Sequence, residues 1–240
     1  MNFISFGLIF RKVNDPFKNA VFFFKNDVIP TESRLTGMLE MFDNVYKMYS
    51  HYLRNSILDL IGTTLPRTKH PLYYNYIICN GTKLNYFLKQ FRSNCIVNEE
   101  IRTHHVHEFI GYCLYAGKGI NQRMISHLIN GKKIVLEFNV TDLNAKYSEI
   151  IKVWENGEGI AIVRLFAEIN HYEALSRENA LIHALGLKNI TNKINGTCYG
   201  IMKHGWNKTE ITNFGTMMLY STLKMLVMEP PPVLMEADIV

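Results

Sequence analysis

Apolar positions change their spacing along the chain, and each change marks an element. Over 32–61, Leu35, Met38, Leu39, Phe42, Val45 and Tyr46 recur at three- and four-residue intervals, the period of one helix face. Gly62, Pro66 and Pro71 then interrupt, placing a boundary near 62–71. YYNYIIC (73–79) is aromatic and β-branched and ends at Asn80-Gly81, as a strand entering a turn does. Residues 84–110 carry mixed helical signals. GYCLYAG (111–117) reads as a second strand, with Gly117 and Gly119 bracketing Lys118 in a tight turn. Asn121 then serves as N-cap for the helix QRMISHLI.

Farther on, Thr141 or Asp142 caps a helix whose stripe is Leu143, Tyr147, Ile150, Ile151 and Trp154, stopped by Gly157. GIAIVRLFAEI (159–169) is a third strand, and HYEALSRENALIHAL (171–185) is a helix closed by Gly186. A Met-rich helical stretch occupies 201–228, and Pro230 to Pro232 lead into a loose tail. The first thirty residues hold two apolar pieces, ISFGLIF and AVFFF, either strands or docking segments. The order strand, strand, helix, helix, strand, helix predicts a small sheet covered by helices.

Composition adds little to that picture except through charge and cysteine. At 48% hydrophobic residues the chain can bury a core. The net charge of +5 is mild, but it is unevenly spread. No Asp or Glu occurs from Gly111 to Leu136, where Lys118, Arg123, Lys132 and Lys133 lie, nor from Asn179 to Thr209, where Lys188, Lys193, Lys203 and Lys208 lie. Such segments suit phosphate, or they are solvated basic faces. Cys79, Cys95, Cys113 and Cys198 form no C-x-x-C pair, which argues against zinc and suits a reducing compartment. The opening lacks a basic region ahead of its apolar residues, so no signal peptide is expected. No apolar run approaches the ~20 residues of a membrane span. The expected location is intracellular, nuclear and/or cytoplasmic.

Two places carry unusual chemistry. In helix 171–185, Glu178 falls within the stripe Ala174, Leu175, Leu181, Ile182 and Leu185. A carboxylate on a core-facing side is costly unless it is paired or holds a metal. It could equally snorkel at an edge or pair with Arg177 or a lysine. Arg123 and His127, four apart, share a helix face directly after the Tyr115-Ala116-Gly117-Lys118-Gly119 turn. That arrangement gathers phosphate-binding groups, or it is an ordinary basic helix face.

Taken together these residues resemble the GIY-YIG nuclease superfamily. The first motif matches Asn75-Tyr76-Ile77 and the second Tyr115-Ala116-Gly117; the family arginine matches Arg123, its histidine His127 and its helical glutamate Glu178. The likeness is to the animal branch that carries ankyrin repeats and a LEM domain, through YAGKGINQRMISHL and SRENALIHALGLKNITNKINGTCYG. Here the first motif lacks Gly-Ile before its tyrosine, Ala116 replaces a branched residue, and neither ankyrin repeats nor a LEM domain is legible.

The resemblance implies an α/β fold: a small antiparallel three-stranded sheet flanked by helices, with a helical N-terminal extension. It divides the chain into an extension over 1–69, a nuclease domain over 70–204, and a C-terminal helix and Pro-containing tail over 205–240. The function implied is a metal-dependent DNA endonuclease, acting on branched or damaged DNA in repair or genome maintenance; the alternative is an inactive nucleic-acid-binding module on the same fold. Tyr76, Tyr115, Arg123, His127 and Glu178 would form the catalytic set. Glu178 would hold one Mg²⁺ or Mn²⁺, and Lys118 and Asn192 would bind substrate, with Asn192 orienting groups.

Overall fold

The computed structural model describes residues 32–61, 72–94, 101, 103–137 and 144–239. The apolar pieces before residue 31, the 62–71 boundary, and Thr141 and Asp142 lie outside them. The elements are α1 (Glu32–Ile61), β1 (Tyr73–Asn80), α2 (Gly81–Asn94), α3 (Thr103–Tyr112), β2 (Cys113–Gly119), α4 (Arg123–Glu137), α5 (Ala145–Glu155), β3 (Ile160–Ile169), α6 (His171–Leu185), α7 (Ile201–His204) and α8 (Lys208–Met228).

The sheet is antiparallel with order β2-β1-β3. Its central strand is apolar on both faces, and both faces are covered. Ile77 and Cys79 point into a core built with α1, α2, α3, α6 and α8; Leu53, Leu84, Phe109, Leu181 and Phe214 are fully enclosed there. Tyr74, Tyr76 and Ile78 point the other way, onto Leu128 of α4 and Ile150, Val153 and Trp154 of α5. The two tyrosine-bearing positions therefore share one face of β1, as alternation requires.

Several local expectations need correction. Gly111 and Tyr112 end α3 and do not start β2, which begins at Cys113. Asn121 is no helix cap: its φ of 48° is left-handed, and its carbonyl accepts the Tyr74 hydroxyl at 2.8 Å. The Tyr74 oxygen in turn accepts the Met124 N–H at 3.3 Å, so a sheet tyrosine pins the first turn of α4. Asn144 caps α5 through its side chain, which accepts the Lys146 N–H. The tail is not loose, because Leu234 pairs with Ile160 at the start of β3 and Ile239 is buried against Tyr74 and its neighbours.

The core also continues past residue 204. Helix α8 starts at Asn207 with a reciprocal cap, its side chain taking N–H groups of Thr209 and Glu210 while Glu210 takes that of Asn207. It then lies against α6 with Phe214, Met217, Met218 and Leu223 buried. The contact is close because of Gly215: a Cβ there would sit 2.0 Å from the Ala180 carbonyl oxygen and 2.8 Å from Ala184 Cβ. Gly215→Ala must therefore push α8 off α6. Overpacking of this kind costs ~1–3 kcal/mol, at roughly 2–4 °C per kcal/mol for a domain of this size. Thermal melting should fall by several degrees; an unchanged midpoint would show that the two helices do not meet this way.

Candidate active site

Strand β2 forms one edge of the sheet, and an exposed edge needs a cover. The loop after α6 supplies it. Thr191 N–H and hydroxyl both donate to the Leu114 carbonyl, at 2.8 and 2.9 Å. Asn192 closes a ring on Ala116: its Oδ1 accepts the Ala116 N–H at 3.0 Å and its Nδ2 donates to the Ala116 carbonyl at 2.8 Å. Asn192 was expected to touch substrate. Both ends of its amide are engaged by β2, so its placement is that of a group that orients the strand carrying Tyr115.

Beside this clamp lies a cavity of about 370 Å³ lined by Tyr115, Lys146, Leu175, Glu178, Ile182, Asn192 and Lys193 among others. Two elements on opposite faces of the sheet reach it around the free edge of β2, α5 with Lys146 and α6 with Glu178. Among the described residues Glu178 is its only carboxylate-bearing lining residue.

Behind Tyr115, β1 contributes Tyr76, opposite Gly117 in the register. Tyr76 is wholly enclosed, and a Cβ on Gly117 would sit 2.6 Å from its hydroxyl. Its oxygen lies 2.6 Å from His127 Nε2, and His127 Nδ1 lies 2.9 Å from the Lys146 ammonium. The directions follow from chemistry. Burial lowers the Lys146 pKa to about 8, helped by the Arg123 charge, which leaves it mainly an ammonium at neutral pH. An ammonium only donates, so Nδ1 must accept. Burial, Lys146 and Arg123 lower His127 to about 4, so the ring is neutral and carries its proton on Nε2, which donates to Tyr76. The Tyr76 hydroxyl proton is then free to turn toward Tyr115, whose ring centroid lies 6.1 Å away and whose pKa Tyr76 lowers by hydrogen bonding. A relay of donors thus runs from Lys146 through His127 and Tyr76 to Tyr115.

Tyr115 is held above its usual pKa by burial and by the Glu178 charge; Arg123 and the hydrogen bond from Tyr76 work the other way. Tyr76 is raised further, chiefly by burial. Burial lifts the Glu178 carboxyl to about 6, against the pull of the Lys118 ammonium, a hydrogen bond from the Lys118 backbone N–H, and Arg123.

Of the expected residues, Tyr76, Tyr115, His127 and Glu178 come together here. Arg123 is exposed at the start of α4, yet its charge acts on Tyr76, Tyr115, Lys118, His127, Lys146 and Glu178. Among the described residues no carboxylate lies within ion-pair distance of it. Lys118 does not line the cavity; its ammonium lies 4.9 Å above the Tyr73 ring, and its charge still acts on Glu178. Glu178 is half-buried at a margin and does not face the core. The deeply buried carboxylate of α6 is Glu173, 1% exposed, which accepts Arg177 Nε and Nη2 at 3.0 and 2.8 Å. Lys146 was not anticipated. It lies in the buried stripe of α5 with Ile150, Val153 and Trp154, so a charge within an apolar stripe was the signal that could have found it.

The geometry has counterparts. A family model for the LEM-3-like GIY-YIG domain matches residues 73–240. The chain belongs to this family. It is 29% identical over 123 residues to the human ankyrin repeat and LEM domain-containing protein 1, covering 50% of this chain and 20% of that protein. The mouse protein of the same name matches at 29% over 136 residues, covering 55% and 24%. A Caenorhabditis elegans homolog matches at 26% over 151 residues, covering 62% and 21%. The matched segment is thus about a fifth to a quarter of each relative's length. No solved structure matches significantly.

GIY-YIG nucleases use a divalent metal. Among the described residues no three His, Cys, Asp or Glu side chains cluster, so a cage made wholly of protein is absent. One carboxylate at a cavity mouth, its ionised form opposed by burial, fits a hard cation that keeps most of its water.

The neutral state of His127 has a measurable consequence. Its folded pKa, about 4, lies below the ordinary value of 6.5, so the unfolded chain binds the extra proton first as pH falls. Stability is therefore lost between roughly pH 6.5 and 4, by on the order of 3 kcal/mol. Glu178, raised from 4.5 to about 6, acts oppositely, losing stability as pH rises through that window. The two offset in the native protein, so the comparison with His127→Gln isolates the histidine. Urea unfolding should show the variant losing less stability than the native chain from pH 7 to 4; parallel curves would mean that His127 titrates normally.

Proposed function

We propose that the chain is a metal-dependent DNA endonuclease that hydrolyses phosphodiester bonds. The observation that carries this is the meeting of Tyr115, at the end of a donor relay, with Glu178, the one carboxylate-bearing residue among those described in a cavity that also holds Lys146 and Lys193. Family membership supports a nuclease. Branched or damaged DNA as substrate, and a part in repair or genome maintenance, are carried over from the family resemblance; an intracellular location, nuclear and/or cytoplasmic, belongs to the same proposal.

In this reading a strand passes the cavity with one phosphate beside Tyr115. Glu178 would hold a divalent cation, Mg²⁺ or Mn²⁺, which would supply positive charge to the phosphate and to the departing oxygen. Arg123, unneutralised at the rim, meets the negative charge that builds on the phosphate. Tyr115, once its own hydroxyl proton has passed to solvent, orients the attacking water and as phenolate takes its proton, while the water oxygen bonds to phosphorus and the bond to the departing oxygen breaks. Its hydroxyl resists ionising while Glu178 is an uncompensated charge, and is relieved when that charge is countered. Tyr76 donates to the Tyr115 oxygen and favours the phenolate. His127 and Lys146 keep the Tyr76 hydroxyl facing that way. Asn192 fixes β2 and hence the Tyr115 backbone.

Glu178→Gln tests the assignment. The amide keeps size and hydrogen bonding but loses the charge that holds a cation. Cleavage should collapse by orders of magnitude, at about tenfold per 1.4 kcal/mol of lost transition-state stabilisation. DNA binding should persist, because the basic groups are untouched. Melting temperature should hold or rise, since burial already opposes the carboxylate. Retained cleavage with a lowered melting temperature would make Glu178 a structural residue and remove the proposal.

A further inference from the structure

One cluster outside the cavity is left without a part in this chemistry. Four rings follow one another across the surface where β1 begins and α6 begins. Tyr73 and His171 have centroids 4.9 Å apart at 72°, His171 and Tyr172 5.5 Å apart at 87°, and Tyr172 and Tyr199 4.9 Å apart at 71°. His171 and Tyr172 are exposed, with Tyr172 retaining 37% of its surface, while Tyr73 and Tyr199 are half-buried and Tyr199 packs against the core. All three contacts are edge to face, and in none do two rings cover each other's faces.

The row is joined to the site. Lys118 lies over Tyr73 at one end, and the charge and backbone N–H of the same lysine act on the Glu178 carboxyl, lowering its pKa against burial. Tyr172 and Glu178 stand on one helix, with Leu175 between them lining the cavity. The rings are fixed by secondary structure: Tyr73 by β1, His171 and Tyr172 by the first turn of α6, and Tyr199 by its N–H donating to Ser176 Oγ at 2.9 Å. Burial and Lys118 lower the His171 pKa, so that ring is neutral at neutral pH.

Two exposed and two half-buried aromatic rings next to a lysine suit a flat ring on an anionic chain. In a duplex the base faces are hidden by stacking; only unpaired bases offer them. We propose that Tyr73, His171, Tyr172 and Tyr199 form a stacking track for unpaired bases, so that a single-stranded arm is held beside the Glu178 cavity. The proposal rests on the endonuclease reading and adds a substrate feature to it. Lys118 serves the backbone of that arm, and the basic segments serve paired DNA.

The test uses the full chain carrying Glu178→Gln, so that bound DNA stays intact, with a labelled oligothymidine of about 12 nucleotides and a blunt duplex as probes. Tyr172→Leu keeps apolar bulk and removes the aromatic face; Tyr172→Phe keeps the face and removes the hydroxyl; Tyr199→Leu is the second position. The leucine variants should bind the single strand roughly tenfold more weakly and the duplex as before, while Tyr172→Phe binds both normally. Leucine and phenylalanine variants that bind alike, or single-strand and duplex affinities that fall together, would overturn the track. Cleavage by the same substitutions in the Glu178 chain separates the two readings. Cleavage without ring dependence removes the track alone. Ring-dependent binding in a chain that never cuts DNA removes the nuclease alone. Melting curves show that each variant is folded.

Discussion

A phenol hydroxyl enclosed at the centre of a sheet must have a partner, and the site is arranged around meeting that demand for Tyr76. An unpaired buried polar group costs ~1–3 kcal/mol. Residue 117 must be glycine-sized, because the Tyr76 ring occupies the space of its side chain. His127 has to present a nitrogen at 2.6 Å, and its other nitrogen takes Lys146 from the next helix. Once Lys146 is an ammonium, the sense of every hydrogen bond in the row is fixed, and its free end arrives at Tyr115. A packing requirement of the core thereby sets the protonation and direction of groups at a surface cavity.

The edge position of β2 matters equally. Helices α5 and α6 lie on opposite faces of the sheet, and their charged groups could not meet through it. They meet around its free edge, where Thr191 and Asn192 satisfy the backbone without adding a strand. Two carboxylates five residues apart on α6, and so on different sides of the helix, then have separate tasks. Glu173 is consumed by Arg177, whose guanidinium also stacks 4.8 Å above Phe166. Glu178 is left at the margin with a backbone N–H and no ion-pair partner of that kind.

Much of this was legible in the sequence where a signal was local. The 3.6-residue period of 171–185, the β-branched run 73–79 and the motif residues Tyr76, Tyr115, His127 and Glu178 all lie where pattern puts them. What failed depended on distant partners or on residues with two habits. Gly111 and Tyr112 read as strand because an aromatic helix end that runs directly into a strand looks like the strand's continuation. Asn121 has the chemistry of a cap and also of a left-handed turn, and the Tyr74 hydroxyl decides between them. The tail reads as loose because Ile160, its pairing partner, is far along the chain. Glu178 drew notice as a misplaced charge, but the fully buried one was its neighbour Glu173, which only the side of the helix that meets α1 and α8 reveals. Lys146 was passed over because a single lysine is ordinary until its helix stripe is seen to be buried.

The most direct measurement is cleavage by the native chain of flap, junction and linear DNA, with Mg²⁺, with Mn²⁺, or with EDTA. The account expects strand cuts with a divalent cation and none with EDTA. Cutting that persists in EDTA, or intact DNA with every cation, would contradict it.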